Sequence, residues 1–451
     1  MTMIEAAPSL RIRGAVVRPG DDGWDGARQA WNLAVDQQPR AVAFPVDEQD
    51  VAAIVRYARA AGLRVAPQRT GHNAAPLGSL TETIILRTDN LRGVAIDAAN
   101  RRARVRSAAK WEDVVPAASE LGLAALHGST GDVSVVGYSL GGGLGWYARK
   151  HGLAANRVSA VELVTADGEL VRADADHKPE LFWALRGGGG NFGVVTALEF
   201  DLIEQAEDYA GVLFFPWERA DEVLHAWREW LPTTPDEVTS VGRIMQFPSF
   251  PDVPEPLRGN AFALVEAVYL GSERDGRELL EPLRALGPSI DTFAMVPPAG
   301  IAELHMDPPK PVPGVTGSRL LGELPPAAID ELLEVAGPGS GSTLLSIELR
   351  QLGGALARSA PEHGAIDTLA GEYAYFGVGI APAPSIAAAN SAQLERVAAA
   401  LAPYDAGLEY SNFTEANGRA RRFFADETLA RLRAVKADVD PEGLFQANHE
   451  L

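Results

Sequence analysis

The sequence predicts an α+β protein made of two structural regions. Its 451 residues are enough for two or three domains. Up to residue 203, short apolar strands alternate with amphipathic helices. After about Leu202 the strands become longer and are separated by helices, which is typical of an antiparallel sheet carrying a helical layer. No fixed-period repeat and no low-complexity segment interrupts either region.

In the first region, strands and helices are predicted between residues that end regular structure. Asp47–Ala61 has the pattern of an amphipathic helix with acidic residues in its first turn, and Gly62 ends it. Asp167 and Gly168 form a hairpin signal between two apolar runs. The other predicted strands are Ala41–Pro45, Leu63–Pro67, Thr83–Arg87, Gly93–Asp97, Arg102–Ser107, Val158–Thr165, Glu169–Ala173 and Val194–Ile203, and the other helices are Trp111–Leu121 and Glu180–Arg186.

The second region ends in a helix at Thr428–Asp440, before Pro441. Val296–Ser318 holds six prolines, so we expect a loop there, either a flap over an active site or a surface connection. Strands are predicted at Val212–Phe215, Ser240–Gln246, Phe262–Leu270, Leu344–Gln351 and Tyr373–Ile380, and helices at Ala220–Trp230, Glu273–Leu286, Pro326–Val335 and Ser385–Ala402.

The composition excludes several classes of function. The net charge of −20 argues against nucleic acid or an anionic membrane as the main partner. The absence of cysteine excludes disulfides, iron–sulfur clusters and cysteine nucleophiles. Charged residues and Pro8 interrupt the apolar core that a signal peptide would need, and no apolar run is long enough for a membrane span. We therefore expect a cytoplasmic protein.

Two glycine clusters, Gly137–Gly145 and Arg186–Gly193, indicate loops that approach a ligand with their backbone. Each contains a formal nucleotide-binding fingerprint, but the context argues against a Rossmann fold. The second cluster follows a helix and precedes a strand, which is the reverse of the required order. After the first cluster, Gly152 stops any helix within about two turns, too early for a crossover helix.

A third feature is the turn Gln68–Asn73, which places His72 directly after a predicted strand. The other seven histidines lack the spacing of a catalytic metal site, so we expect no metal. The sequence contains neither a nucleophile elbow nor a Walker A motif, which excludes α/β-hydrolases and P-loop enzymes.

Together these segments resemble the vanillyl-alcohol-oxidase flavoproteins with a PCMH-type FAD-binding domain. The similarity is greatest to the branch of berberine-bridge-enzyme-like and 6-hydroxy-D-nicotine-oxidase-like oxidases. It extends over PRAVAFPVDEQDVAAIVRYARAAGLRVAPQRTGHN, the glycine run with the segment that follows it, and ELFWALRGGGGNFGVV. It resumes near the end of the chain at YSNF and RLRAVKADVDPEGLFQANH.

The resemblance implies a two-lobed FAD-binding domain at 1–203, a substrate-binding cap at 204–407, and a return to the first domain at 408–451. His72 corresponds to the histidine that forms a covalent bond with the flavin. A second bond in many members comes from a cysteine at the position of Thr130, so only the histidyl bond is expected here. The implied FAD-binding residues are His72, Thr70, Gly71, Asn73, Ser129, Thr130, Val133, Gly137, Gly141, Gly142, Gly143, Gly193, Val195, Asn412 and Asn448.

The resemblance also implies where chemistry occurs. Tyr410 would stand beside the flavin ring and face the substrate. Tyr373 and Tyr375 alternate on one strand face, which points either to the cavity or to the core, and are further catalytic candidates. Glu348, Arg350 and Gln351 are candidate substrate contacts, and Arg243, Gln246 and His305 are possible lining residues.

The expected reaction is hydride transfer to flavin N5 from a C–H bond next to an alcohol or amine. The molecule oxidised would be a small organic compound or a natural-product intermediate, and O2 would reoxidise the flavin to give H2O2. The alternatives are a tailoring dehydrogenase or cyclase that does not use O2, and a non-catalytic flavin-binding protein. Expected partners are the substrate and O2, with no nucleic acid or membrane, in a monomer or homodimer.

Overall fold

The structure is a computed structural model that describes residues 10–251 and 253–451. Residues 1–9, which carry part of the argument against a signal peptide, lie outside the described residues. The chain forms two lobes, each with its own sheet, and then a larger sheet domain, the cap. Its C-terminal segment returns to the lobes. This arrangement confirms the predicted α+β class.

The first lobe is a small sheet covered by a helix. It consists of strands β1 (Ala15–Val17), β2 (Ala41–Phe44), β3 (Arg64–Gln68) and β4 (Thr83–Arg87), with helices α1 (Trp24–Arg28) and α2 (Glu48–Ala60). The strand order is β1-β2-β4-β3, and β2 and β3 both run parallel to β4. Asp47 caps α2 by accepting hydrogen bonds from the amides of Gln49 and Asp50. The helix buries Val51 and Ile54 against the sheet.

The second lobe contains an antiparallel sheet and the glycine-rich segments. Its strands are β5 (Val94–Asp97), β6 (Arg102–Arg106), β7 (Leu123–Ala124), β8 (Val158–Val164), β9 (Leu170–Asp174), β10 (Val194–Asp201) and β11 (Ile203–Glu204), and its helices are α3 (Trp111–Ser119), α4 (Val135–Leu140), α5 (Ala148–His151) and α6 (Pro179–Leu185). Five strands pair in the order β5-β6-β10-β8-β9. The first glycine cluster therefore contains a short helix, and α5 is only one turn long.

The cap is an eight-stranded antiparallel sheet with helices on one face. Its strands are β12 (Asp208–Pro216), β13 (Val238–Gln246), β14 (Ala261–Tyr269), β15 (Ile290–Asp291), β16 (Ala294–Val296), β17 (Gly314–Leu321), β18 (Ser346–Gln351) and β19 (Tyr373–Ile380), and its helices are α7 (Ala220–Trp230), α8 (Glu273–Arg284), α9 (Pro298–Ile301), α10 (Pro326–Ala336) and α11 (Pro384–Ala400). Ile347 and Leu349 of β18 pack in the core beneath the helices, so Glu348 and Arg350 face the lobes.

The C-terminal segment joins the cap back to both lobes through helices α12 (Ala420–Phe423) and α13 (Asp426–Val439). Leu432 lies in the core of the second lobe, and Phe445 lies in the core of the first. The carboxylate of Asp440 accepts hydrogen bonds from the amides of Leu444 (2.7 Å) and Phe445 (3.0 Å), which turns the chain toward β3. The division at 203 and 407 remains a prediction, although every cap strand falls between them.

The proline-rich segment differs from its predicted form. Val296–Ser318 is not one continuous loop, because β17 begins at Gly314 and α9 occupies Pro298–Ile301. The prolines end at Pro313, and the β-branched residues Val315 and Thr316 then pair with β19. Pro298 is compatible with α9 because the first helical turn needs no donor at that position.

Candidate active site

A cleft lies between the two lobes and the lobe-facing side of the cap. It is lined mainly by loops of the lobes, and Arg350 comes from the cap. The predicted cofactor-binding residues that line it are Thr70, Gly71, His72, Asn73, Ser129, Thr130, Val133, Gly137, Gly141, Gly193, Val195, Asn412 and Asn448. The structure thus brings together residues that are distant in the sequence. Gly142 and Gly143 do not line it; they pack behind it, against Tyr410 and Tyr138 respectively.

His72 is held in a defined position at the edge of the cleft. Its ring stacks on the indole of Trp31, with 4.2 Å between centroids and 19° between planes. Its Nδ1 lies 2.8 Å from the hydroxyl of Thr70, and its Nε2 lies 3.3 Å from Oδ1 of Asp132. Gly71 has a φ of 81°, so the turn needs a glycine there, whereas Thr70 avoids positive φ.

Two of the loops that line the cleft have backbone amides without a protein partner. Within the described part of the chain, the amides of 71–73 and those of 129–133 donate no hydrogen bond to another protein group. Unpaired N–H groups in such turns form a concave site for an anion. A Cβ built on Gly190 would lie 3.9 Å from the nearest protein atom, and one on Gly137 would lie 4.0 Å away. These glycines therefore leave room for a ligand against the backbone.

Buried polar atoms also lack partners at the cleft. Among the described residues these include Oδ1 of Asn73, Oγ of Ser107, and Nδ1 of His449. A buried polar group without a partner costs free energy, and a ligand with donors and acceptors would remove that cost. Asn448, whose side chain hydrogen-bonds the backbone oxygen of Asn73, ties the C-terminal segment to the His72 turn. The donors, the bare glycines and the unpaired atoms fit a dinucleotide with a flat ring system.

Tyr410 lines the cleft, but its hydroxyl is turned into the glycine loop. The oxygen accepts hydrogen bonds from the amides of Gly143 (2.7 Å) and Leu144 (3.0 Å) and from Nδ2 of Asn412 (3.1 Å). Burial raises the pKa of Tyr410 well above its ordinary value, so the phenol stays protonated at neutral pH. This placement does not match the expected substrate-facing position, because the hydroxyl is already saturated with donors.

Tyr373 and Tyr375 lie on the side of the cap sheet that faces the helices. Tyr375 is fully buried in the cap core and Tyr373 packs on Trp227, so neither lines the cleft. The alternation on β19 was predicted, but the choice of face was open. The opposite face presents Phe376, which packs against Phe413 at 4.9 Å between centroids.

The lobe-facing side of the cap carries a buried ionic cluster consisting of Arg243, Glu266, His305, Glu348 and Arg350. His305 contacts Glu348 at 2.7 Å and also hydrogen-bonds Glu266, and Arg243 pairs with Glu266 at 3.0 Å. Arg350 pairs with Glu348 at 2.7 Å and lies over the ring of Phe413 at 5.3 Å. Of the five, Arg350 lines the cleft.

Electrostatic coupling within this cluster keeps both His305 and Glu348 ionised at neutral pH. Burial opposes protonation of His305, but the carboxylates of Glu266 and Glu348 outweigh it and raise its pKa to about 9. Burial likewise disfavours ionised Glu348, but Arg350 and His305 hold its pKa below the ordinary range. His305 is thus protonated beside Arg243 and Arg350, the carboxylate of Asp307 also acts on His305 and Arg350, and Arg350 presents its guanidinium to the cleft.

Two other predicted substrate residues lie elsewhere. Gln351 donates to the hydroxyl of Thr234 at 3.0 Å, beneath the helices, and Gln246 donates to the carbonyls of Ser342 and Leu344. Glu348 is 2% exposed and acts through Arg350 rather than at the cleft surface. Neither glutamine lines the cleft.

Two residues that contact His72 were not predicted from the sequence, namely Trp31 and Asp132. Trp31 precedes the first element predicted from the sequence, Ala41–Pro45, and no periodic signal marks it. Asp132 lies between Thr130 and Val133, which were both predicted to bind FAD. A carboxylate within that loop was the one feature of the sequence that could have identified it. It accepts hydrogen bonds from Nε1 of Trp31 (2.6 Å) and the hydroxyl of Thr130 (3.2 Å).

Comparisons with known proteins point to the same class of protein. Residues 39–174 match the family model described as an FAD binding domain. The (R)-6-hydroxynicotine oxidase of Paenarthrobacter nicotinovorans is 29% identical, over 99% of this chain and 98% of its own. The solved 6-hydroxy-D-nicotine oxidase of Arthrobacter nicotinovorans is 26% identical with a TM-score of 0.78, covering 98% of both chains. The Physcomitrella patens BBE-like 1 structure has a TM-score of 0.83 at 20% identity, covering 97% of this chain and 96% of that one.

The fold, the cleft and these similarities define an FAD-dependent oxidoreductase. More specifically, residues 39–174 form an FAD binding domain, and the chain as a whole is similar in sequence to 6-hydroxynicotine oxidase and in fold to the berberine-bridge-enzyme-like proteins. Residues 70–73 and 129–137 would hold the cofactor. Within the described part of the chain, no helix is both long and apolar enough to cross a membrane.

Proposed function

We propose that this protein is an FAD-linked oxidase that removes a hydride from a C–H bond next to an alcohol or amine of a small organic molecule. Dioxygen would be the final electron acceptor and hydrogen peroxide the second product. The observation that carries the proposal is the pair of loops with unbonded amides, at 71–73 and 129–133, in a cleft that also contains Arg350 of the cap. The similarity to a nicotine oxidase over nearly the whole of both chains supports it.

The bound FAD supplies the hydride acceptor and the centre that reacts with oxygen. The protein itself has to position the substrate and stabilise the charge that develops on it during the reaction. Arg350 offers a fixed cation that stabilises negative charge developing on a substrate oxygen. Its guanidinium is held by Glu348 on one side and by the ring of Phe413 on the other. The same charge disfavours a protonated amine, so an amine substrate would have to bind in its neutral form.

The geometry provides no strong base among the tyrosines. The hydroxyl of Tyr410 is filled with donors and its pKa is raised by burial, so it does not accept a proton at neutral pH. Its role is to hold the loop at Gly143 and Leu144 in place. We infer that Tyr410 is a positioning residue for the glycine loop.

We further propose that FAD is attached through His72 alone. The sequence has no cysteine, so a cysteinyl bond is impossible. His72 lies at the edge of the cleft, its ring is stacked on Trp31, and its Nδ1 has only a hydroxyl partner. A histidine held in this way needs little reorganisation to form a bond.

One set of measurements tests the function. Purified protein is reacted with alcohol and amine substrates, both neutral and charged, while hydrogen peroxide and bleaching of the flavin absorbance are followed. The proposal predicts substrate-dependent bleaching without oxygen and peroxide once oxygen is admitted. Bleaching that oxygen does not reverse would indicate a dehydrogenase. Bleaching only by artificial reductants, with no substrate in the panel active, would contradict an oxidase.

Attachment is tested separately by a denaturing gel viewed under ultraviolet light. Wild-type protein should retain a fluorescent band, and His72→Ala should lose it while still binding FAD from solution. A wild-type band without fluorescence would show that the cofactor is held non-covalently and would refute the attachment.

A further inference from the structure

The carboxylate of Asp132 faces His72 from another loop of the cleft. Its Oδ1 lies 3.3 Å from Nε2 of His72, within ion-pair distance but not aligned for a hydrogen bond. Contacts between catalytic groups are often long or poorly aligned before the ligand binds. Each carboxylate oxygen also has a neutral donor, because Nε1 of Trp31 binds Oδ2 and the hydroxyl of Thr130 reaches Oδ1.

The charged surroundings of Asp132 are simple in the part of the chain that the structure describes. Among the described residues, His72 is the one potential cation within ion-pair distance of it. Burial alone would favour the neutral acid, but His72 and the hydrogen bond from Trp31 keep the pKa of Asp132 below its ordinary value. An ionised carboxylate is therefore available beside a ring nitrogen that has no hydrogen-bond partner.

Trp31 connects the two groups. Its indole stacks on the imidazole at 4.2 Å and donates to Asp132 at 2.6 Å, so one residue fixes both the ring plane and the carboxylate. Thr70 lies against Nδ1 at 2.8 Å and its hydroxyl can donate there. This arrangement suits the tautomer with hydrogen on Nε2 and a lone pair on Nδ1.

We propose that Asp132 is the positioning residue and proton acceptor for the covalent attachment of FAD to His72; this rests on the attachment proposed above. His72 Nδ1 forms one N–C bond to a ring methyl carbon of the cofactor. One C–H bond of that methyl and the Nε2–H bond break. The Nε2 proton passes to Asp132 and the methyl proton to solvent. Two electrons remain on the cofactor until dioxygen accepts them, with two protons, as hydrogen peroxide.

The test measures covalent FAD rather than turnover. Wild type, Asp132→Asn and Asp307→Asn are purified, supplied with FAD and oxygen, and sampled over time by denaturing mass spectrometry. Asp307 is the matched control, because it is another carboxylate near the cleft and hydrogen-bonds Ser129 at 2.8 Å. We expect Asp132→Asn to bind FAD but to form the covalent adduct at least about a hundredfold more slowly, the lower end of the range for a positioned proton acceptor. Asp307→Asn should match wild type.

Chemical rescue separates this role from a merely structural one. Asp132→Ala should also be slow, and added formate should restore part of its rate because the small anion can occupy the vacated carboxylate position. If Asp132→Asn fails to fold, Trp31→Phe carries the test, since it keeps the stacking and removes the donor; it should slow attachment several-fold. Attachment at the wild-type rate in folded Asp132→Asn would overturn the inference. If Asp132→Asn does not fold, attachment at the wild-type rate in Trp31→Phe would overturn it. Absence of covalent FAD in wild type would instead refute the attachment itself.

Discussion

Replacing Tyr410 by phenylalanine should destabilise the protein, because its hydroxyl satisfies buried backbone groups. Tyr410 is 2% exposed, and its oxygen accepts the amide hydrogens of Gly143 and Leu144. Phenylalanine fills the same space but leaves both donors without a partner. At about 1–3 kcal/mol for each unsatisfied buried group, and allowing for some relaxation, the free energy of unfolding should fall by roughly 2–4 kcal/mol. Nδ2 of Asn412 also loses the hydroxyl as an acceptor, but it still donates to the carbonyl of Tyr138, so this loss adds little to the destabilisation.

Tyr375→Phe is the matched control for this prediction. It removes a buried hydroxyl that has no partner among the described residues, so its loss should cost almost nothing or slightly stabilise the protein. Urea unfolding of both variants, followed by tryptophan fluorescence, measures the difference. Equal stability of Tyr410→Phe and Tyr375→Phe would refute the assignment of Tyr410 as the residue that holds the glycine loop.

Three further predictions follow from the cleft and the ionic cluster. Arg350→Met should leave FAD content unchanged but lower kcat/KM for an alcohol substrate by at least about tenfold, or 1.4 kcal/mol; an unchanged value would exclude a role for its charge. The pKa of His305 is raised to about 9 in the folded protein, so its contribution to stability is complete below its ordinary value of 6.5 and is lost as pH rises toward 9. The melting temperature of wild type should fall between pH 6 and pH 10, and that of His305→Gln should fall less. If the melting temperatures of the two proteins changed with pH in the same way, the raised pKa of His305 would be contradicted. Gly190→Val should fold normally, because a Cβ there meets nothing nearer than 3.9 Å, but should retain less FAD; full retention would show that the cofactor does not approach this backbone.

Much of the fold could be predicted from the sequence because its signals are local. The helix at Asp47–Ala61 has a capping residue, acidic first-turn residues and a glycine stop, and the structure has a helix at Glu48–Ala60. The Asp167–Gly168 turn likewise joins β8 and β9 as predicted. The prediction that Val296–Ser318 is a loop was wrong for its last residues, which form the start of β17. Val315 and Thr316 pair there with β19, and such a long-range contact leaves no local signal in the sequence.

The site was predictable where it depends on loop chemistry and unpredictable where it depends on which face of a strand is buried. The turn around His72 carries its own signal. The face of β19 that holds Tyr375 is chosen by packing against the cap helices, which periodicity alone does not reveal. Trp31 reaches His72 across more than forty residues of sequence, so no local pattern could identify it.

The most direct test of the central claim is a tryptic map of the purified flavoprotein. Cleavage after Arg69 and Arg87 releases the peptide Thr70–Arg87, in which His72 is the one histidine. We predict that this peptide carries the mass of one FAD less two hydrogens and shows flavin absorbance. An unmodified peptide from a protein that remains colourless after incubation with FAD would contradict both the cofactor and the site that is assigned to it.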